Sequence, residues 1–118
     1  MDRPATIILK DLCKIAAHQD QYDWQPFHDG VEIYRLYGGE DQGSAAALLK
    51  YAPGARIPLH KHTDYEHIMV LSGAQADDVA EYGEGTLIIS KPNSQHRVTS
   101  AGGCIVLAIW FSPVVFEQ

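Results

Sequence analysis

The chain has 118 residues, of which 46 % are hydrophobic and 20 % charged, a balance that is ordinary for one globular domain and excludes a disordered chain. The formal net charge of −6 argues against a nucleic-acid partner, because phosphate neutralisation needs clustered Lys and Arg and the nine basic residues are scattered. No apolar run reaches the roughly 18 residues of a membrane span and no signal-peptide pattern is present, so we expect no membrane partner. Cys13 and Cys104 stand alone without a CxxC pair, which favours a reduced, cytoplasmic setting.

The first 23 residues form a lead-in whose structure the pattern leaves open. Thr6–Leu9 is apolar enough for a strand, whereas Leu9, Leu12, Cys13 and Ala16 keep a helical spacing. Residues 18–25 are polar and typical of turns.

From Val31 onward the pattern changes to short strands separated by turns rich in Gly, Pro and Asp. The turns fall at residues 38–44, 52–55, 72–78 and 82–85. Short strands at this regular spacing predict an all-β sandwich or barrel. The predicted strands are Val31–Tyr37, Ala45–Tyr51, His67–Leu71, Thr86–Ser90, His96–Thr99 and Cys104–Phe111, and the core candidates are Ile68, Val70, Leu87, Ile89, Ile105, Leu107 and Ile109.

Three potential metal ligands crowd into residues 60–66. His60 and His62 are two residues apart, so on a strand both imidazoles point to one face. Glu66 follows a bend at residues 63–65, and we expect a hairpin return to bring its carboxylate beside them. His96 begins a later strand, which can lie next to the first one in an antiparallel barrel. Three imidazoles and one carboxylate with open coordination positions suit zinc, iron, manganese, nickel or cobalt.

These residues also carry a resemblance to a known family. Gly54, His60, His62, Glu66 and Gly73 stand at the spacing of the first motif of the cupin family, the RmlC-like jelly rolls. The resemblance implies an antiparallel double-stranded β-helix, that is a jelly-roll barrel, with one divalent metal ion per chain inside it.

The second cupin motif is matched with three departures. Gly85 and His96 are in register with it. Lys91 stands where proline is expected, with the proline one position later, Asn93 stands in a glycine position, and Ser100 replaces the final asparagine. Asn tolerates a left-handed backbone, so we expect the turn to form and His96 to remain a ligand.

A finer resemblance links residues 24–111 to the cupin domain of ChrR-type anti-sigma factors. The segments that carry it are WQPFHDGVEIYRLY (24–37), LLKYAPGARIPLHKH (48–62), VLSG (70–73), the hairpin around EYGEGT (81–86) and GGC (102–104). In that subgroup the matching residues bind zinc, so the resemblance favours zinc. The chain has no equivalent of the amino-terminal zinc domain of ChrR, so we expect one free-standing cupin domain (1–118, with lead-in 1–23 and barrel core 24–111) and do not carry over anti-sigma activity.

Other polar residues are expected to lie outside the metal site. His67 should face away from Glu66 across its strand, and the Asp77–Asp78 pair suits a turn. An enzyme would need further polar groups aimed at the metal, for which Gln75 and Arg56 are the candidates. His18, His28, Lys61 and Tyr65 are expected to lie outside the site, at the rim or surface. Trp24 and Trp110 are expected to pack, and either could line the mouth of the pocket.

The sequence therefore predicts a metal-binding cupin of unassigned activity, in which a small-molecule ligand could enter the barrel. A dioxygenase-like oxidoreductase is the leading enzymatic hypothesis. The alternatives are a non-catalytic zinc-binding sensor or regulatory cupin and a structural metal barrel that serves assembly. The apolar segments 6–9 and 109–116 predict a homodimer.

Overall fold

The computed structural model describes residues 5–38 and 43–116. Within them, three short helical turns precede ten strands, and every pair of neighbouring strands is antiparallel. The helical turns are Leu12–Lys14, Ile15–His18 and Gln19–Gln21; the strands are β1 Gln25–His28, β2 Val31–Tyr37, β3 Ala45–Tyr51, β4 Ala55–Lys61, β5 Glu66–Ala76, β6 Glu81–Gly83, β7 Leu87–Ser90, β8 Gln95–Ser100, β9 Cys104–Trp110 and β10 Val115–Phe116. Among the described residues, no helix is long and apolar enough to cross a bilayer.

The strands form two layers that share the long strand β5. One layer has the order β1–β2–β3–β9–β5–β7, and the other has β10–β4–β8 with the second half of β5 and β6. Inward side chains of both layers make one apolar interior, which includes Leu49, Ile57, Ile68, Val98 and Val106. This closed, all-antiparallel arrangement confirms the predicted all-β jelly roll.

The lead-in covers the outer face of the first layer. Ile15 is fully buried against Leu48, Leu71 and Ile105, which point away from the barrel interior. This cover explains why β3 is buried along nearly its whole length rather than on alternate residues. The helical alternative was therefore correct for residues 12–18, but its predicted face was partly wrong, because Cys13 and Ala16 are exposed and Ile15 is buried. Thr6–Leu9 forms no strand.

Several predicted boundaries are confirmed and others are wrong. β2 and β3 have the predicted ends, and residues 39–42 of the first predicted turn lie outside the described residues. The predicted turn at 72–78 is wrong at its start, because β5 continues to Ala76. Three short strands, β1, β6 and β10, were missed.

Two core candidates on β7 are wrong. Leu87 and Ile89 are 52 % and 51 % exposed, whereas Ile88 between them packs against the interior. The register explains this, since Ile88 lies opposite the buried Ile68 and therefore shares its face. A short apolar run does not reveal which alternate residues point inward.

Candidate metal centre

A bulge in β4 turns His60 toward the interior. Ile57 and His60 are both buried, although strict alternation from Ile57 would bury Leu59 and expose His60. The pairing of β4 with β8 shifts register between Ile57 and His60, which is the extra residue of a β-bulge. Pro58, which has no N–H for the ladder, lies within this irregularity. The Pro58 carbonyl then accepts a hydrogen bond from His60 Nδ1–H at 2.9 Å, which directs His60 Nε2 inward.

His62 is held by the turn of the second motif. Its backbone N–H donates to Ser94 O, and its carbonyl accepts from Asn93 N–H, both at 2.8 Å. Asn93 has a φ of 73°, the left-handed conformation for which glycine is usual at this motif position. The Ser94 hydroxyl donates to Lys91 O at 2.5 Å, so it accepts from His62 Nδ1–H at 2.9 Å. The predicted exchange of glycine for asparagine is therefore structurally sound.

His96 and Glu66 reach the same place from two other strands. His96 on β8 lies directly opposite His60, as predicted. Glu66 begins β5, but the expected hairpin with β4 is wrong, because β5 pairs with β9 and β7 in the other layer. The bend at 63–65 carries the chain across the barrel, and the carboxylate still arrives 3.0 Å from His62 Nε2.

The four side chains point nitrogen and oxygen lone pairs toward one common point. One nitrogen or oxygen atom from each of His60, His62, Glu66 and His96 lies within 4.8 Å of the others. His62 Nδ1–H is used by Ser94, so His62 Nε2 and Glu66 Oε1 are two acceptors 3.0 Å apart. His60 Nε2 is likewise an acceptor, 3.0 Å from His96 Nε2. Four donor atoms around a tetrahedral metal with bonds of about 2.0–2.1 Å would be separated by roughly 3.3 Å. The arrangement fits a divalent cation, which would pair with every one of these lone pairs.

Burial keeps the imidazoles in their metal-binding form. Desolvation lowers the pKa of His96 to about 4, although the nearby Glu66 carboxylate opposes that shift. Desolvation also lowers the pKa of His60, against the hydrogen bond to Pro58. Glu66 itself is only 4 % exposed, and a buried carboxylate is costly unless a cation or hydrogen-bond donors compensate it.

A cavity of about 270 Å³ borders three of the four side chains, namely His60, Glu66 and His96. Its walls are mostly aliphatic and aromatic, and Phe27, His28, Trp110 and Phe116 are among them. A small molecule in this cavity would therefore contact the potential metal site directly.

Of the other candidate residues, some lie at the cavity and others lie away from it. Arg56 is exposed on β4, so its suggested role at the site is wrong. His67 faces away from Glu66, as predicted, and its ring lies 5.1 Å from that of Phe111. Asp77 accepts hydrogen bonds from Val79 N–H and Ala80 N–H, which confirms the turn. His28, expected outside the site, lines the cavity.

Sequence reasoning missed three residues of this region. Pro58 and Ser94 orient His60 and His62, and Tyr51 lines the cavity. Tyr51 ends the predicted strand β3 on the same face as Leu49, so alternation along that strand was the signal available. The hydrogen bond from the His60 imidazole to the Pro58 carbonyl could not be predicted from the spacing of residues in the sequence.

Comparison with known proteins places the chain among cupins. The family model described as the ChrR cupin-like domain matches residues 13–111. The chain is 32 % identical over 98 residues to the anti-sigma-E factor ChrR of Cereibacter sphaeroides, which covers 80 % of this chain and 45 % of ChrR. The chain spans less than half the length of the curated relatives it matches.

Solved structures show the same fold. ChrR in complex with SigE of Rhodobacter sphaeroides is similar with a TM-score of 0.67 and 23 % identity, covering 91 % of this chain and 70 % of that chain. An acetylacetone dioxygenase from Acinetobacter johnsonii is similar with a TM-score of 0.77 and 11 % identity, covering 100 % and 80 % respectively. The predicted cupin fold and the resemblance to ChrR are confirmed.

Proposed function

Because the chain belongs to the ChrR cupin-like domain family, we propose that His60, His62, Glu66 and His96 bind one divalent metal ion per chain. The observation that carries the proposal is the facing pair of acceptors, His62 Nε2 and Glu66 Oε1, 3.0 Å apart with the other imidazole nitrogen already used. Without a proton or a cation between them, these two atoms repel each other in a buried site. The similarity to ChrR favours zinc, and the ligand set also suits iron, manganese, nickel or cobalt.

The cavity beside this site supports a small-molecule function. We propose that the protein binds a small ligand there, and that a dioxygenase-like oxidation is the leading catalytic hypothesis. A bound metal would supply Lewis acidity or, as iron, a site for dioxygen. Pro58 and Ser94 would hold the imidazoles of His60 and His62 in the orientation that binds the metal. The apolar side chains that line the cavity would exclude water. The alternative is a zinc-binding sensor or regulatory cupin without catalysis, which the similarity to ChrR favours.

One experiment separates these functions. The protein is purified without added metal, its metals are measured by elemental analysis, and anomalous diffraction locates them. Oxygen uptake is then followed with a panel of phenols and diketones. Iron at the four side chains together with oxygen uptake supports the enzyme, and tightly held zinc without uptake supports the sensor. Absence of any metal at these side chains after incubation with zinc and iron salts contradicts the metal-binding proposal itself.

We also propose that the chain forms a homodimer through the outer face of β7 and β5. Leu87 and Ile89 are each about half exposed there, side by side with the partly buried Met69. A second copy would cover this apolar surface. Light scattering should give twice the chain mass for the wild type and the chain mass for Ile89→Lys, and a monomeric wild type at micromolar concentration contradicts the proposal.

The proposal also covers the domain organisation and the cellular location of the protein. We propose that residues 1–118 act as one cupin domain with a covering lead-in. Cys13 and Cys104 are both free thiols, which supports a cytoplasmic location.

A further inference from the structure

One residue that lines the cavity carries a hydroxyl group that the proposed metal site does not use. Tyr51 is 4 % exposed, lines the cavity, and lies opposite Cys104 on β9. In the part of the chain that the structure describes, no residue hydrogen-bonds its hydroxyl. The hydroxyl is not one of the fully enclosed polar atoms without a partner, of which Gln75 Oε1 is the one found among the described residues. It is therefore open to the cavity that Tyr51 lines, where a water molecule or a ligand can bond it.

Tyr51 and the metal-site residues lie at opposite ends of the same wall. Glu66 is opposite Trp110 on β9, and Tyr51 is opposite Cys104, six positions away along that strand (110 − 104). Between these two levels the cavity is bordered by apolar side chains, among them Leu49, Ile57, Ile68 and Val98. Apolar side chains thus lie between Tyr51 and the metal-site residues, and His28 and Arg35 also border the cavity.

The charge of Tyr51 restricts what can lie beside it. Desolvation, together with the negative charges of Cys104 and Glu66 when these groups are ionised, raises the pKa of Tyr51, so its hydroxyl is neutral near pH 7 and available as a donor. A carboxylate placed there would be surrounded by apolar groups and repelled by Glu66. A neutral hydroxyl or carbonyl oxygen fits this end of the cavity.

Resting on the proposed metal site, we propose that the cavity binds a small molecule with oxygen atoms at both ends of an apolar carbon skeleton. An anionic oxygen group lies toward His60, Glu66 and His96, and a neutral oxygen accepts a hydrogen bond from Tyr51. The cavity of about 270 Å³ is near the lower end of small-molecule sites, roughly 300–1,000 Å³, so the skeleton is short or a single ring. Tyr51 is the residue that selects for the second oxygen.

The test uses two matched pairs of carboxylates with zinc-loaded protein. Calorimetry measures the affinity of hexanoate against 6-hydroxyhexanoate and of benzoate against 4-hydroxybenzoate. In the wild type, the hydroxylated member of at least one pair should bind about 3- to 10-fold more tightly than its parent, the value of one net hydrogen bond. Tyr51→Phe should bring that ratio to about one and leave the affinity of the parent acid unchanged within about two-fold.

Tyr82→Phe is the matched control. The Tyr82 hydroxyl donates to Asp77 Oδ2 at 3.1 Å, and Tyr82 does not line the larger cavity, so this variant should keep the wild-type ratio. Elemental analysis of the same samples separates the two proposals. Bound zinc with no preference in either pair, with a preference that survives in Tyr51→Phe, or with no binding of any of the four acids overturns the inference on Tyr51 alone. Absence of zinc overturns the metal site, and this inference with it.

Discussion

Gln75 and His96 border the same small space of about 10 Å³, which Asp77 also borders. Gln75 is 2 % exposed and its carbonyl oxygen has no hydrogen-bond partner among the described residues. Within the described part of the chain, His96 makes its hydrogen-bond contact through Nε2 alone, so Nδ1 is open to this space, whereas the matching nitrogens of His60 and His62 are bonded to Pro58 and Ser94. A space of this size holds about one water molecule, which would accept from His96 Nδ1–H and donate to Gln75 Oε1.

We therefore expect Gln75→Leu to weaken metal binding. Loss of a group that orients a ligating histidine typically costs about 10- to 100-fold in metal affinity, and we expect about 10-fold here because the link passes through water. Chelator competition measures the affinity, and ¹⁵N shifts of His96 in the zinc-loaded protein report whether Nδ1 keeps its proton. Gln95→Leu, an exposed neighbour on β8, is the control. Equal affinity of Gln75→Leu and wild type would contradict the water bridge.

His60→Ala should release most of the metal and lower the melting temperature. A ligand present at about 100 times its Kd stabilises the native state by about 2.7 kcal/mol, which corresponds to roughly 10–20 °C for a small domain. Elemental analysis and thermal unfolding with and without chelator check both effects. His67→Ala is the control, since His67 points away from the site. If His60→Ala retains the wild-type metal content, His60 is not a ligand.

Glu66→Gln should change stability and metal affinity in opposite directions. In the metal-free protein at pH 8, the new amide can donate to His62 Nε2, which lies 3.0 Å from the present carboxylate oxygen. We expect the free energy of unfolding to rise by about 1 kcal/mol, the usual net value of a hydrogen bond. Metal affinity should fall more than about 10-fold because the charged ligand is gone.

Urea unfolding in chelator and metal competition measure the two effects of Glu66→Gln. Glu81→Gln on the exposed strand β6 should change neither. A metal-free Glu66→Gln protein less stable than the wild type would show that the carboxylate already has a compensating partner.

The sequence predicts which residues form this site better than it predicts the strand pairing that brings them together. The spacing of His60, His62 and Glu66 with the later His96 was enough to predict that all four lie together, because it matches the two cupin motifs. The β-bulge at Pro58 and the crossing of the chain between layers depend on long-range pairing, which local periodicity does not contain.

The same limit explains the errors on β7 and the omission of Tyr51. Ile88 rather than Leu87 points inward because it pairs with Ile68. A run of consecutive apolar residues does not indicate which alternate side chains face the interior. In the sequence, nothing distinguishes Tyr51 from other strand residues, because the cavity that it lines is formed by several strands that are distant along the chain. Its lack of a partner is a property of the folded interior.

Acid should destabilise the metal-free protein through His96. Its pKa is about 4 in the folded chain, because of desolvation, against about 6.5 for an unperturbed histidine. Between these values the unfolded state binds more protons, so the free energy of unfolding falls as the pH decreases from about 6.5 to about 4. His96 contributes a slope of up to about 1.4 kcal/mol per pH unit, and His60, whose pKa is also lowered, adds to it in the same direction.

Urea unfolding in chelator at several pH values between 7 and 4.5 measures this slope. His96→Asn removes the titrating group, so its slope should be shallower than that of the wild type by up to one proton over this range. Carboxylates that do not interact with His96 contribute equally to both proteins and cancel in the comparison. Asp77 does interact with His96, but hydrogen bonds from Ala80 and Val79 that outweigh its desolvation also lower its pKa, which lies below the pH range of this measurement. Identical slopes for His96→Asn and the wild type would mean that His96 is already accessible to protons in the folded protein, which contradicts its burial between the two layers.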